Sequence, residues 1–139
     1  MKESSDKALD LVYVLVVDDE EKLGRFVCML LKQIGYQAIT CQSIEEARRL
    51  LANGQWQFVI TDIVIPRENG FDLMRWLKAH RPTLPVVAMT AHSTEAVMHQ
   101  INQFGFAAVL HKPFTVEHFY QVVQQLTPSR KLYSFFLNR

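Results

Sequence analysis

The sequence predicts an α/β fold, a three-layer sandwich built on a five-stranded parallel sheet of order 2-1-3-4-5. Three observations predict it. Short apolar runs alternate with amphipathic helical segments five times along 139 residues, and strict alternation of this kind builds a parallel sheet covered on both faces. The first run, Leu11–Val17, is apolar without a polar beat, as a strand buried on both faces requires. Four of the runs end on a carboxylate, a hydroxyl or an ammonium: Asp18-Asp19, Asp62, Thr90 and Lys112. In an open parallel sheet those ends share one edge, where ligands bind.

The elements follow in order. Val12–Val17 is the first strand. Glu21–Ile34 carries Leu23, Phe26, Val27, Leu30 and Ile34 at helical spacing, and Gly35 is placed to end that helix in a left-handed conformation. Tyr36–Cys41 is a weaker strand. Ser43, with Glu46 three residues on, reads as a capping box for a helix burying Ile44, Ala47, Leu50 and Leu51, which Asn53-Gly54 stops. Phe58–Thr61 is the third strand. A loop with Pro66 and Gly70 leads into a helix with Leu73, Met74 and Leu77 inward, broken at Arg81-Pro82. Val86–Met89 is the fourth strand. Ser93 is the expected cap of a helix with Val97, Ile101 and Phe104 on one face, ended by Gly105. Ala107–His111 is the fifth strand, and Thr115 caps a last helix with Val116, Phe119, Val122, Val123 and Leu126 inward. This is the flavodoxin-like (βα)5 arrangement, with the first and fifth helices expected on one face.

Composition sets the bounds. Fifteen basic against fourteen acidic residues leave a net charge of +1, which excludes a nucleic-acid binder driven by bulk charge. No apolar stretch is long enough to span a membrane, and Met1–Asp10 has no signal-peptide core; a cytoplasmic location is expected. Cys28 and Cys41 lack metal-ligand spacing and read as buried thiols. The chain divides into an N-terminal extension (1–10), one domain (11–126) and a C-terminal tail (127–139). The tail carries Arg130, Lys131, Tyr133, Phe135, Phe136 and Arg139 without an acid, and is expected to act as a strap, a docking peptide or the start of a linker.

The strand-end cluster defines the chemistry. Carboxylates gathered at one edge raise one another's pKa unless neutralised. A divalent cation with oxygen ligands does this, and magnesium suits two carboxylates, waters and a phosphate oxygen. At least one of Asp18 and Asp19 faces the pocket, and Asp62 lies on the neighbouring strand. A carboxylate beside such a cation is also a nucleophile toward phosphorus. In-line phosphoryl transfer then needs positioning and charge neutralisation, which Lys112 and the Thr90 hydroxyl supply. Each residue alone has a plainer reading: a helix cap for Asp18 or Asp19, a turn residue for Thr90, a surface cation for Lys112. Asp62 within the apolar stretch Phe58–Ile65 resists one.

The chain resembles the receiver domain of two-component response regulators. The resemblance rests on Val16-Val17-Asp18-Asp19-Glu20, on Asp62 with Pro66 and Gly70 downstream, on Thr90-Ala91 and on Lys112-Pro113-Phe114, and covers about Val12 to Leu126. It implies that Asp62 accepts a phosphoryl group from a phosphohistidine of a sensor histidine kinase or histidine phosphotransfer protein. It implies magnesium held directly by Asp19, Asp62 and the backbone carbonyl of Val64, with Asp18 acting through a water. Lys112 would contact the phosphoryl group, and its bond to Pro113 would be cis, a form that prolyl bonds tolerate. Output would leave through the fourth helix, fifth strand and fifth helix, to a separate protein or an attached effector, with a homodimer through that face as one option. The chain would not be an enzyme beyond its own phosphorylation and dephosphorylation, and no direct nucleic-acid or membrane contact is expected from this domain. The alternative is a fragment of a longer regulator whose effector lies outside these residues.

One departure stands out. The family places an aromatic three residues before the lysine, where this chain has Val109. Three readings compete: a weakened switch, a substitute such as Phe106, or output through another surface. His111 shares a strand face with Val109 and is expected to pack beside the fourth or fifth helix. Val64 and His92, two residues after Asp62 and Thr90, flank the path of the hydrolytic water in the family, and the apolar Val64 predicts slow self-dephosphorylation. Other classes fit less well. A haloacid-dehalogenase-like phosphatase needs a second acid two residues after the nucleophile, where Val64 stands. Flavin phosphate would be repelled by Asp18-Asp19. There is no GxxxxGK[ST] loop and no HExxH. A non-signalling scaffold has only Val109 in its favour.

Overall fold

The computed structural model describes residues 12–127. Five parallel strands, β1 (Tyr13–Val17), β2 (Gln37–Cys41), β3 (Trp56–Asp62), β4 (Val86–Thr90) and β5 (Ala108–His111), form one sheet of order β2-β1-β3-β4-β5, the order the sequence predicts. Five helices alternate with them: α1 (Glu21–Gln33), α2 (Ile44–Leu51), α3 (Gly70–His80), α4 (Glu95–Phe104) and α5 (Val116–Leu126). Helices α1 and α5 share one apolar cluster with Val14, Val16, Phe58, Ile60, Val87 and Met89. Helices α2 and α3 cover Leu15, Val17 and Val59 on the other face, and α4 packs there through Ile101 against Ile63, Phe71 and Ala88. All five residues of β4 are buried, as a central strand covered on both faces requires. Fully burying a side chain such as Phe119 contributes about 1.5–3 kcal/mol.

Register carries the functional residues to one edge. Val17 pairs with Thr61, Asp62 with Met89 and Thr90 with His111. The ends of β1, β3, β4 and β5 are therefore level. The expected N-terminal extension (1–10) lies outside the described residues, as does the expected tail beyond residue 127.

The termini of the helices follow local chemistry, with two corrections there and a third within α1. Gly35 at φ 95° closes α1, its N–H reaching Lys32 C=O while the Tyr36 N–H reaches Leu31 C=O, a Schellman ending. Gly105 at φ 78° ends α4. Thr115 caps α5 by accepting from the His118 N–H. The first correction is at α4, where Thr94 and not Ser93 accepts from the Val97 N–H. The helix starts one residue later, which frees the Ser93 hydroxyl for another partner. The second is at α2. Ser43 accepts from the Glu46 N–H, but the Glu46 carboxylate takes the Gln42 N–H rather than that of Ser43. The third is Phe26, expected inward and found 39% exposed. Helix α1 meets β2 through Gly24, where an added Cβ would lie 2.5 Å from Thr40 Oγ1. That close approach sets the rotation of the helix and turns Phe26 outward.

Candidate functional site

The site lies at the level ends of β1, β3, β4 and β5. Asp62 closes β3 and Asp18 follows β1; both are buried, at 5% and 0% exposure. Lys112 follows β5, and its ammonium joins three carboxylates. Nζ lies 2.5 Å from Asp62 Oδ2, 3.1 Å from Asp18 Oδ2 and 3.3 Å from Glu20 Oε1. The remaining oxygens of the aspartates are tied to the backbone. Asp62 Oδ1 accepts from the Val64 N–H at 3.0 Å, and Asp18 Oδ1 accepts from the Glu20 N–H at 2.9 Å. The peptide bond from Lys112 to Pro113 is cis, as the resemblance implied.

The electrostatics follow from one cation shared among three anions. Burial raises the Asp18 carboxyl above its ordinary value, and the Glu20 N–H and Lys112 offset this only in part. Burial alone would lower the Lys112 ammonium, but bonds to Asp62 and Asp18 outweigh it and hold the proton more firmly than usual. The lysine is thus fixed as a cation, while Asp18, dividing that charge with its neighbours, is left short of compensation.

A polar cleft of about 230 Å³ opens over this group, lined by Asp19, Glu20, Asp62, Val64, Ala91, His92 and Lys112. Asp18, Glu20 and Asp62 each bring a carboxylate oxygen within 4.8 Å of the others. Hard oxygen donors at this spacing, with a cation already drawn among them, fit a divalent ion such as magnesium. Asp19 is exposed and borders the cleft. Sequence reasoning missed Glu20 as a member of the cluster. Its only signal was adjacency to Asp18-Asp19, and its reach back to Lys112 depends on the start of α1.

Thr90 is fully buried, and its hydroxyl is engaged locally, donating to the His92 carbonyl (3.2 Å) and accepting the His92 N–H (2.9 Å). Val64 stands over the cleft at 53% exposure. The start of α3 approaches β3 closely at Gly70: a Cβ there would lie 2.7 Å from the Asp62 carbonyl oxygen and 3.1 Å from Ile63 Cα. Asn69 caps that helix in a full capping box with Asp72, and Arg48 grips Glu68 in the same loop through paired bonds of 2.8 and 2.7 Å. That contact holds the Glu68 carboxyl below its ordinary value. Beside Lys112, Leu23, Phe26, Ala91, Pro113 and Phe114 line a second, apolar hollow of about 360 Å³. Val109 is half-buried against the cluster of Ile63, Phe71, Ala88 and Ile101. Phe106 lies in the turn before β5 and packs edge-on to Phe71 at 6.0 Å between ring centres.

Comparison with known proteins is consistent along the chain. The family profile described as "Response regulator receiver domain" matches residues 14–124. The DNA-binding transcriptional regulator NtrC of Azospirillum brasilense is 31% identical over 112 residues, which are 81% of this chain and 23% of that protein. The chain thus spans about a quarter of the length of such relatives. The polar-differentiation response regulator DivK of Brucella ovis is 28% identical over 113 residues, 80% of this chain and 92% of the relative. Among solved structures, the non-phosphorylated HemR receiver domain of Leptospira biflexa superposes with a TM-score of 0.77 at 27% identity, covering 83% of this chain and 93% of that one.

Proposed function

The chain belongs to the response regulator receiver family, and from that premise we propose that Asp62 is its phosphoacceptor, taking a phosphoryl group from a phosphohistidine. One observation carries the reading: a buried carboxylate at the floor of an open polar cleft, with an ammonium on one oxygen and a backbone N–H on the other. An Asp62 oxygen attacks phosphorus, the phosphorus–nitrogen bond breaks, and the departing imidazole keeps the electron pair and takes up a proton. The product is an acyl phosphate. Lys112 passes from the carboxylate to an oxygen of the transferred group, and Thr90 leaves the His92 backbone to donate to another.

The donors that would hold magnesium are the carboxylates of Asp19 and Asp62 and the carbonyl of Val64, with Asp18 through a water; Glu20 adds negative charge at the rim. Bound there, the ion would neutralise charge on the carboxylates and on a phosphoryl oxygen. The apolar hollow at Phe26 and Phe114 suits apolar side chains of the donor protein, since it adjoins the cleft. The domain serves as a switch rather than a turnover catalyst. Its output face is α4, β5 and α5, and its proposed site of action is the cytoplasm. A second reading has a specific observation behind it. The match to about a quarter of NtrC, a DNA-binding regulator, favours a receiver portion of a longer protein with its effector elsewhere, whereas the 92% coverage of DivK favours a stand-alone receiver.

Incubation with magnesium and acetyl phosphate, followed by intact mass, tests the reading. One added phosphoryl group is expected, absent in Asp62→Ala and reduced in Asp19→Ala. Labelling that persists in Asp62→Ala would overturn the assignment.

A further inference from the structure

The Ser93 hydroxyl, released from capping duty at α4, lies 2.9 Å from His111 Nδ1. This bond spans from the loop after β4 to β5. The same loop is pinned one step earlier by Thr90, whose hydroxyl both donates to and accepts from the His92 backbone. Thr90 is also the register partner of His111, and its carbonyl accepts the Lys112 N–H at 2.8 Å. Thr90, His92 and Ser93 are thus tied to the strand that presents Lys112, by one backbone bond and one side-chain bond. Neither position considered for an aromatic switch makes such a link: position 109 is a valine in the apolar layer, and Phe106 packs on Phe71.

We propose that His111 is a positioning residue that acts through Ser93 on the Thr90 hydroxyl. The Ser93–His111 bond holds the loop in its resting arrangement, and its release passes the movement of Thr90 to β5 and the start of α4. The inference rests on the receiver reading above. The geometry is specific about why. Thr90 cannot give its proton to a phosphoryl oxygen on Asp62 while giving it to the His92 carbonyl, so phosphorylation removes the bond that ties the turn at His92. Ser93 is the next residue, and a displacement of the loop draws its hydroxyl away from a ring whose backbone stays paired in the sheet. On this proposal the bond is made in one state and lost in the other, which is the differential contact that any two-state switch requires.

The test is beryllofluoride affinity in saturating magnesium, measured by calorimetry on the wild type, Ser93→Ala, His111→Leu, the double variant and Ser93→Thr. Losing a resting-state bond of this exposed kind favours the phosphoryl-bound state, so each single removal is expected to tighten binding about threefold. The double variant should gain no more than either single one, because both delete the same bond. Ser93→Thr, which keeps the hydroxyl, should bind as the wild type does, and magnesium affinity alone should be unchanged throughout. Ser93 is exposed, so Ser93→Ala leaves the core intact and carries the test alone should His111→Leu fold poorly. Equal affinities across the set, or additive effects in the double variant, would overturn the proposal while leaving the receiver reading in place. A wild type that binds magnesium but no beryllofluoride would overturn both.

Discussion

Replacing Lys112 with methionine removes one charge and leaves three carboxylates facing one another. Asp18 and Asp62 are almost wholly buried, while Glu20 is 67% exposed at its side chain, so hydration screens Glu20 and leaves the cost with the two aspartates. A contact near 3 Å carries a gross attraction of roughly 5 kcal/mol at an effective dielectric of about 20. Deleting the lysine also recovers its own desolvation and side-chain entropy. The net loss should be about 3 kcal/mol, as for other buried pairs broken from one side. Urea unfolding at neutral pH in a chelator measures it. The sign of the pH dependence follows from Asp18, whose carboxyl is already raised by burial and rises further without Lys112. A raised carboxyl contributes stability that is present below its unfolded pKa and lost as pH rises through its folded value, so the deficit of Lys112→Met should shrink on acidification. Magnesium at a hundredfold excess over its dissociation constant should return about 2.7 kcal/mol. A loss below about 1 kcal/mol, or one that magnesium leaves untouched, would refute the shared-cation account of this site.

Three further outcomes follow from the same structure. Gly70→Ala forces a Cβ against the Asp62 carbonyl and should cost about 1–3 kcal/mol in urea unfolding, with amide shifts centred on Asp62 and Ile63. Burial pushes the Cys28 thiol up to about 11 and the Cys41 thiol up to about 12; both should resist a disulfide reagent at neutral pH in the folded protein and react in urea. Val64 presents only an apolar side chain to the cleft, so the acyl phosphate should outlast seconds in magnesium buffer, and Val64→Asn should shorten its lifetime several-fold by giving the attacking water a hydrogen-bond partner.

The order of elements, the sheet topology and the gathering of Asp18, Asp62, Thr90 and Lys112 at one edge were legible in the sequence. Apolar runs and helical stripes are properties of the local chain, and parallel pairing with right-handed crossovers leaves few ways to assemble them. Gly35, Gly105 and Thr115 were legible for the same reason, since a left-handed ending or a cap is settled within a few residues. Tertiary packing decided the rest. The rotation of α1 depended on how closely Gly24 could approach Thr40, a contact between distant segments, and it turned Phe26 to the surface. Glu20 joined the carboxylates because α1 begins where it does and Lys112 arrives from the far end of the chain. Ser93 lost the cap to Thr94 and found His111 instead, a bond between residues eighteen apart in sequence that no local pattern encodes. Short-range propensity determined which residues stood at the edge; long-range contact determined which of their polar atoms met.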